Sequence, residues 1–273
     1  MRLFASGLRK LSRRMATWVT FGLLAGLLVL IMVAVGATAN APRPSGQNGA
    51  AALTLVTFPG AYDAILSFIL GLGGLFAVIY GAAIAGSEWT WGTLKNAVAR
   101  GESRSRYILL SFASIALVIG IGLLLAFVVG VGAALVGANL AGVSTGGLND
   151  GAALGRLPEQ FARGWLAIVE EGALGFAIAT LARSQLAGIG AGIAFYFGGT
   201  FAGIFLPDIV KYLPFSVATA SVSTGTRAGG GFGGGGAQPA ALDANTAIVL
   251  VVAWLIGSLV VAALFTERAE ISG

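Results

Sequence analysis

The sequence predicts an all-α, polytopic membrane protein with six transmembrane helices and an amphipathic interfacial helix at its N-terminus. Three observations predict it. Of the 273 residues, 57% are hydrophobic and only 10% are charged, too few polar groups to clothe a water-soluble surface. Apolar runs at 17–38, 61–86, 108–139, 161–182, 185–206 and 246–266 match or exceed the ~20 residues that cross a hydrocarbon core of about 30 Å. Lys and Arg are divided unequally between the polar segments separating these runs, as they are between the two faces of a membrane protein. One polytopic membrane domain over 1–273 accounts for the whole chain, with no second composition class to suggest another module.

The elements follow in order. Leu3, Phe4, Leu8 and Leu11 alternate with Arg2, Arg9, Lys10, Arg13 and Arg14, which predicts an amphipathic helix over 1–15 lying on the inner leaflet. The first apolar run, with its basic start and Ala37-Thr38-Ala39-Asn40-Ala41 behind it, invites comparison with a cleaved signal peptide. The run exceeds the ~7–15 residues of a signal core, so it reads as a span. Arg13-Arg14 likewise reads as positive inner flank rather than as a twin-arginine signal. The third run is longer than a crossing requires, which predicts tilt or an extension beyond the bilayer. Only Arg183-Ser184 separates the fourth and fifth, so these two form an antiparallel hairpin. Gly22-x-x-x-Gly26, Gly188-x-x-x-Gly192 and Gly199-x-x-x-Gly203 predict sites of close helix packing. Loops are expected at 39–60, 140–160 and 207–245, the last an external Gly-rich loop whose run Gly229 to Gly236, broken by Phe232, is costly to order.

Charge then sets the orientation. Arg2, Arg9, Lys10, Arg13, Arg14, Lys95, Arg100, Arg104, Arg106, Arg183 and Arg268 fall on one side of the predicted spans; Arg43, Arg156, Arg163, Lys211 and Arg227 fall on the other. By the positive-inside rule both termini, the 87–107 segment and the Arg183 turn are cytoplasmic, and the protein is a multi-pass resident of the cell membrane. The net charge of +5 is thereby a topology signal. Basic surface interleaved with aromatics is missing, which argues against a nucleic-acid partner.

Several chemistries are poorly served. The chain has neither Cys nor His, which removes disulfides, thiol catalysis and the common transition-metal ligands. No Ser/Lys cluster or Asp pair lies inside a span, so an intramembrane enzyme ranks last, and no catalytic, cofactor-binding or metal-binding residue is assigned. No Gly-Lys-Ser/Thr occurs, so ATP hydrolysis is not encoded on this chain.

The strongest functional clue is the polar segment between the second and third runs, Glu88-Trp89-Thr90-Trp91-Gly92-Thr93-Leu94-Lys95 continuing to Gly101-Glu102-Ser103-Arg104-Ser105-Arg106. On residue types alone it fits two roles equally. Trp and Arg anchor protein interfaces, and Trp with Lys and Arg also forms the belt at a membrane surface.

The spacing of Glu88, Gly92, Thr93, Leu94, Ser103 and Arg104 resembles the first cytoplasmic loop of the permease subunits of ABC transporters, in the six-helix, type-2 exporter family. Leu206-Pro207-Asp208 and Tyr212-Leu213-Pro214-Phe215, ahead of the last run, are similar to that family too. The chain departs from the pattern at Gly101, where the family often has proline, and at Ser111 and Phe112, near which it commonly has lysine. The resemblance implies a permease that pairs with a second permease copy and binds cytoplasmic ABC ATPase subunits, which carry the ATP. It also implies a short coupling helix in which Glu88, Trp91, Gly92, Thr93, Leu94, Lys95, Ser103 and Arg104 take part, with Trp89 and Val98 adding apolar surface and Arg100 adding charge.

A second feature is Glu170-Glu171, near the middle of the fourth run. A carboxylate there costs about 2.5–3.5 kcal/mol on insertion scales, so each needs a partner, water or a proton. Adjacent residues lie ~100° apart on a helix. Glu171 therefore shares a stripe with Ala167, Gly175, Ala179 and Ala182, whereas Glu170 lies nearer Leu166, Ala173, Leu174 and Ala177. The structural expectation is a polar clamp, or a kink or helix end shallower than the hydropathy suggests. The functional one is a proton or cation site, which would suit a proton-coupled secondary carrier. Such carriers often show inverted repeats, and none is evident.

Overall fold

A computed structural model describes residues 2–39, 52–222 and 242–269. Arg43, Arg227 and the Gly229–Gly236 run lie outside the described residues. Within them the chain is all-α, and six helices are long and apolar enough to cross a membrane.

The chain opens with α1 (Arg2–Ser12) and α2 (Met15–Ala37). The core helix α3 (Gly60–Thr90) leads through the short α4 (Thr93–Ala99) into α5 (Arg104–Ala141). A turn of 3-10 helix at Gly146–Asn149 precedes α6 (Gly151–Ala182), which hairpins into α7 (Gln185–Phe205). Two short helices, α8 (Pro207–Val210) and α9 (Pro214–Ser221), come before the final α10 (Ala244–Arg268).

The expected spans are reproduced at nearly every boundary. The largest difference is α6, which begins at Gly151 instead of 161, capped by Asp150 Oδ1 accepting from Ala153 N at 2.7 Å. Its first turns contain Arg156, Pro158 and Glu159, a composition that reads as loop to a hydropathy scale yet is permissible in a helix beyond the bilayer. The expected loop at 140–160 is thus mostly helical. Residues 207–221, expected as loop, form α8 and α9. Trp254 Nε1 donates to the Tyr212 carbonyl at 3.0 Å, and Phe215 stacks edge-on to Tyr196 of α7 with ring centroids 4.7 Å apart.

Two helices form the centre. In the most apolar window of α6, 67% of residues are buried, against 12% in α7, so α7 faces outward while α6 sits against α3. What brings α3 and α6 together is missing side chains. A Cβ on Gly81 would stand 2.1 Å from the Gly172 carbonyl, and one on Gly175 equally close to the Val78 carbonyl. Backbones in such contact gain dispersion energy that bulky residues would prevent. Gly36 and Gly137 join α2 to α5 in the same way.

The Gly-x-x-x-Gly expectations divide. Gly188 packs on Ala179 and Gly192 on Val78, whereas Gly22, Gly26 and Gly199 have nothing within 4 Å. The hairpin expectation holds: Arg183 takes a left-handed turn at φ 50°, and Ser184 Oγ accepts from Ala187 N at 3.3 Å to start α7. The length of α5 holds as well. Its 38 residues span about 57 Å at ~1.5 Å per residue, well beyond a hydrocarbon core.

Candidate functional site

The 87–107 segment is built at the end of the bundle that also carries α1 and the C-terminus of α10, the end rich in Lys and Arg. Glu88 lies in the last turn of α3 and is 1% exposed. Its Oε1 accepts from Lys10 Nζ on α1. Its Oε2 accepts from Thr93 Oγ1 at the start of α4 and from Tyr107 Oη on α5, the latter at 2.5 Å. One carboxylate thereby ties four helices. Next to it Arg14 Nη1 donates to Ser87 Oγ at 2.8 Å, and the same guanidinium stands 4.8 Å from the Trp91 ring centroid. Behind this, Thr17 Oγ1 donates to the Leu11 carbonyl and meets Tyr80 Oη, both at 2.8 Å, which fixes the elbow between α1 and α2. The amphipathic α1 is docked on the bundle: a Cβ on Gly7 would stand 2.5 Å from Ser114 Oγ of α5.

Gly92, at φ 63°, supplies the left-handed residue that turns α3 into α4, a conformation disfavoured with a Cβ present. Helix α4 then buries Leu94 and Ala97 against the bundle and leaves Lys95, Asn96 and Arg100 exposed beside Trp91, which is 64% exposed. Ser103 is exposed just ahead of α5, its carbonyl accepting from Tyr107 N at 3.0 Å. Arg104 reaches the other way. Its Nη1 donates to the carbonyls of Glu267 and Ala269 at 3.1 and 2.7 Å, at the C-terminus of α10 where a cation complements the helix dipole. Arg183 completes this end, 5.2 Å from the Trp89 centroid and 5.3 Å from that of Phe265.

The predicted segment is therefore one assembly. Glu88, Thr93, Leu94 and Arg104 are bonded or packed within the chain; Trp91, with the Arg14 guanidinium on its ring, and Lys95, Asn96 and Arg100 are exposed. Lys10, Arg14 and Tyr107 belong to it although sequence reasoning took the first two only as topology charges and did not single out the third. The one available signal was Glu88 itself, an acid at a membrane boundary that requires a donor.

The second candidate site is Glu170 and Glu171, 0% and 2% exposed. Helix α6 runs through both, about 18 Å from its basic end by helical rise, so neither lies at a helix end. The stripe assignment holds. Glu171 Oε2 lies 1.8 Å from where a Cβ on Gly74 would be, so the carboxyl group occupies the place of a missing side chain on α3. On α7, Tyr196 Oη donates to the Gly71 carbonyl at 2.8 Å, closing that seam. Glu170 lies two turns beyond Arg163, whose guanidinium contacts Asn245 Oδ1 of α10 at 3.0 Å and the Ser221 carbonyl of α9 at 3.3 Å. Neither oxygen of Glu170, nor Oε2 of Glu171, has a hydrogen-bond partner among the described residues.

No family model and no curated protein matches this chain.

Proposed function

We propose that this chain is the membrane-spanning permease subunit of an ATP-driven ABC exporter, paired as a dimer in the cell membrane and coupled to separate cytoplasmic ATPase subunits through α4. The observation that carries this reading is a seven-residue helix held between two long spans on a braced mount, with Trp91 exposed just ahead of it, Lys95 exposed on it and Arg100 exposed at its end. Exposed aromatic and Arg anchors on a rigid element are what an interface uses, and a mount satisfied by Glu88, Lys10, Thr93 and Tyr107 transmits force instead of yielding to it. The Lys/Arg asymmetry supports placing this end, with both termini, in the cytoplasm.

The test is co-purification with an ATP-binding partner. Trp91→Ala and Arg100→Ala should insert and fold normally, and loss of a Trp anchor should weaken association by about 2 kcal/mol, roughly 30-fold. Unchanged association and unchanged transport in both variants would leave the segment as a membrane-surface belt. The burial of Glu170 and Glu171 favours a second reading, a proton-coupled secondary carrier. Transport by the chain alone, driven by a proton gradient and indifferent to ATP, would select it.

A further inference from the structure

The two glutamates lie outside the coupling assembly, and their surroundings restrict what can neutralise them. No cation among the described residues is within reach. Helix α3 has no charged residue from Ala64 to Ser87, α7 none from Gln185 to Phe205, α10 none from Ala244 to Thr266, α5 none from Tyr107 to Ala141, and α2 and α9 none at all. The nearest cation on α6 itself, Arg163, is bound to Glu159 at 2.8 Å and to the Ser221 carbonyl and Asn245. The titratable hydroxyls in the core are committed, Tyr196 to Gly71 and Tyr80 to Thr17.

A metal ion is equally ill served. It needs several oxygen ligands converging on one point, and no group of three acidic, His or Cys side chains exists among the described residues. The two carboxyls diverge by ~100° around the helix, and Oε2 of Glu171 is pressed onto the Gly74 backbone with no space between them. A proton needs neither free volume nor converging ligands.

We propose that α6 carries a proton-binding site in which Glu170 and Glu171 each hold one hydrogen ion while α3, α7 and α10 are closed around them. Among the described residues an ionised Glu171 has no counter-charge, and its Oε2 has no donor against Gly74; an uncompensated charge in such surroundings is strongly disfavoured. Release of its proton is therefore linked to separation of α3 from α6, and release from Glu170 to movement of α10. The site does not depend on an ATPase partner, so it stands or falls separately from the coupling assignment.

The experiment is infrared spectroscopy of the protein in liposomes at neutral pH, where exposed acids are ionised and only un-ionised carboxyl groups give the acid carbonyl band. The expected result is such a band in the wild type, shifted in heavy water, reduced in Glu170→Gln and in Glu171→Gln and absent in the double variant. No acid band in the wild type, or a band that survives in the double variant, would overturn the proposal. Because a variant could fail to insert, the wild type is also treated with an apolar carbodiimide, which adds to protonated carboxyls. An adduct on the peptide containing residues 170 and 171, insensitive to sodium or potassium salts, supports the proton; protection by either salt would assign the site to a metal cation instead.

Discussion

At Glu88 one carboxylate takes donors from α1, α4 and α5, and the loss of each has its own expected cost. Tyr107 gives up its hydroxyl to a charged acceptor, so Tyr107→Phe should cost about 1.5 kcal/mol of stability. The Lys10 side chain keeps 34% of its exposure, so solvent screening holds the loss in Lys10→Ala to about 1–2 kcal/mol, below that of a fully buried pair. Unfolding in detergent measures both, and two wild-type-like variants would show that Glu88 does not brace the segment. A second pair of substitutions separates close from open glycines. Gly74→Ala places a methyl group onto Glu171 and should destabilise by about 1–3 kcal/mol, whereas Gly26→Ala, with open space around it, should be neutral or slightly stabilising through helix propensity. None of this pairing is legible locally. Lys10 and Glu88 are 78 residues apart, and nothing in the spacing of either announces the other; Gly74 looks like any of the chain's 43 glycines.

Among the elements, legibility follows hydropathy. Spans with uniform apolar composition, such as α2 and α10, were readable to within a few residues, because desolvation of the backbone forces a helix wherever the side chains are apolar. The start of α6 and the helices α8 and α9 were not, since outside the bilayer that constraint lapses and tertiary contacts decide. The Glu171 stripe on α6 was readable because helical period alone sets it. The junction of α5 with α10 was unreadable: Ser-Arg ahead of a span was seen, but not that Arg104 would bond carbonyls more than 160 residues away. Arg104→Ala should therefore fray the last turn of α10, at a cost of about 1 kcal/mol, and hydrogen exchange of the amides near Thr266 should speed up. Unaltered exchange there would mean that the guanidinium adds nothing to the helix end.

For the whole molecule, the eleven-to-five division of Lys and Arg expected from the sequence makes orientation a measurable consequence. Single cysteines introduced at the exposed Asn96 and at Ser184 should react with impermeant reagents only from the cytoplasm, and one at the exposed Thr145 only from outside. Labelling of position 96 from outside would invert the molecule and remove α4 from any cytoplasmic ATPase.

The same end contains a feature with a mechanical side. A Cβ on Gly86 would stand 2.3 Å from the Gln185 backbone, so α3 and the α6–α7 turn touch main chain to main chain, leaving no slack for sliding. A swing of α7 about Gln185 would have to break the hydrogen bond from Tyr196 to the Gly71 carbonyl. The 21 residues of α7 make a lever roughly 30 Å long, so a rotation of about 10° swings its far end, and Phe205 with it, through about 5 Å.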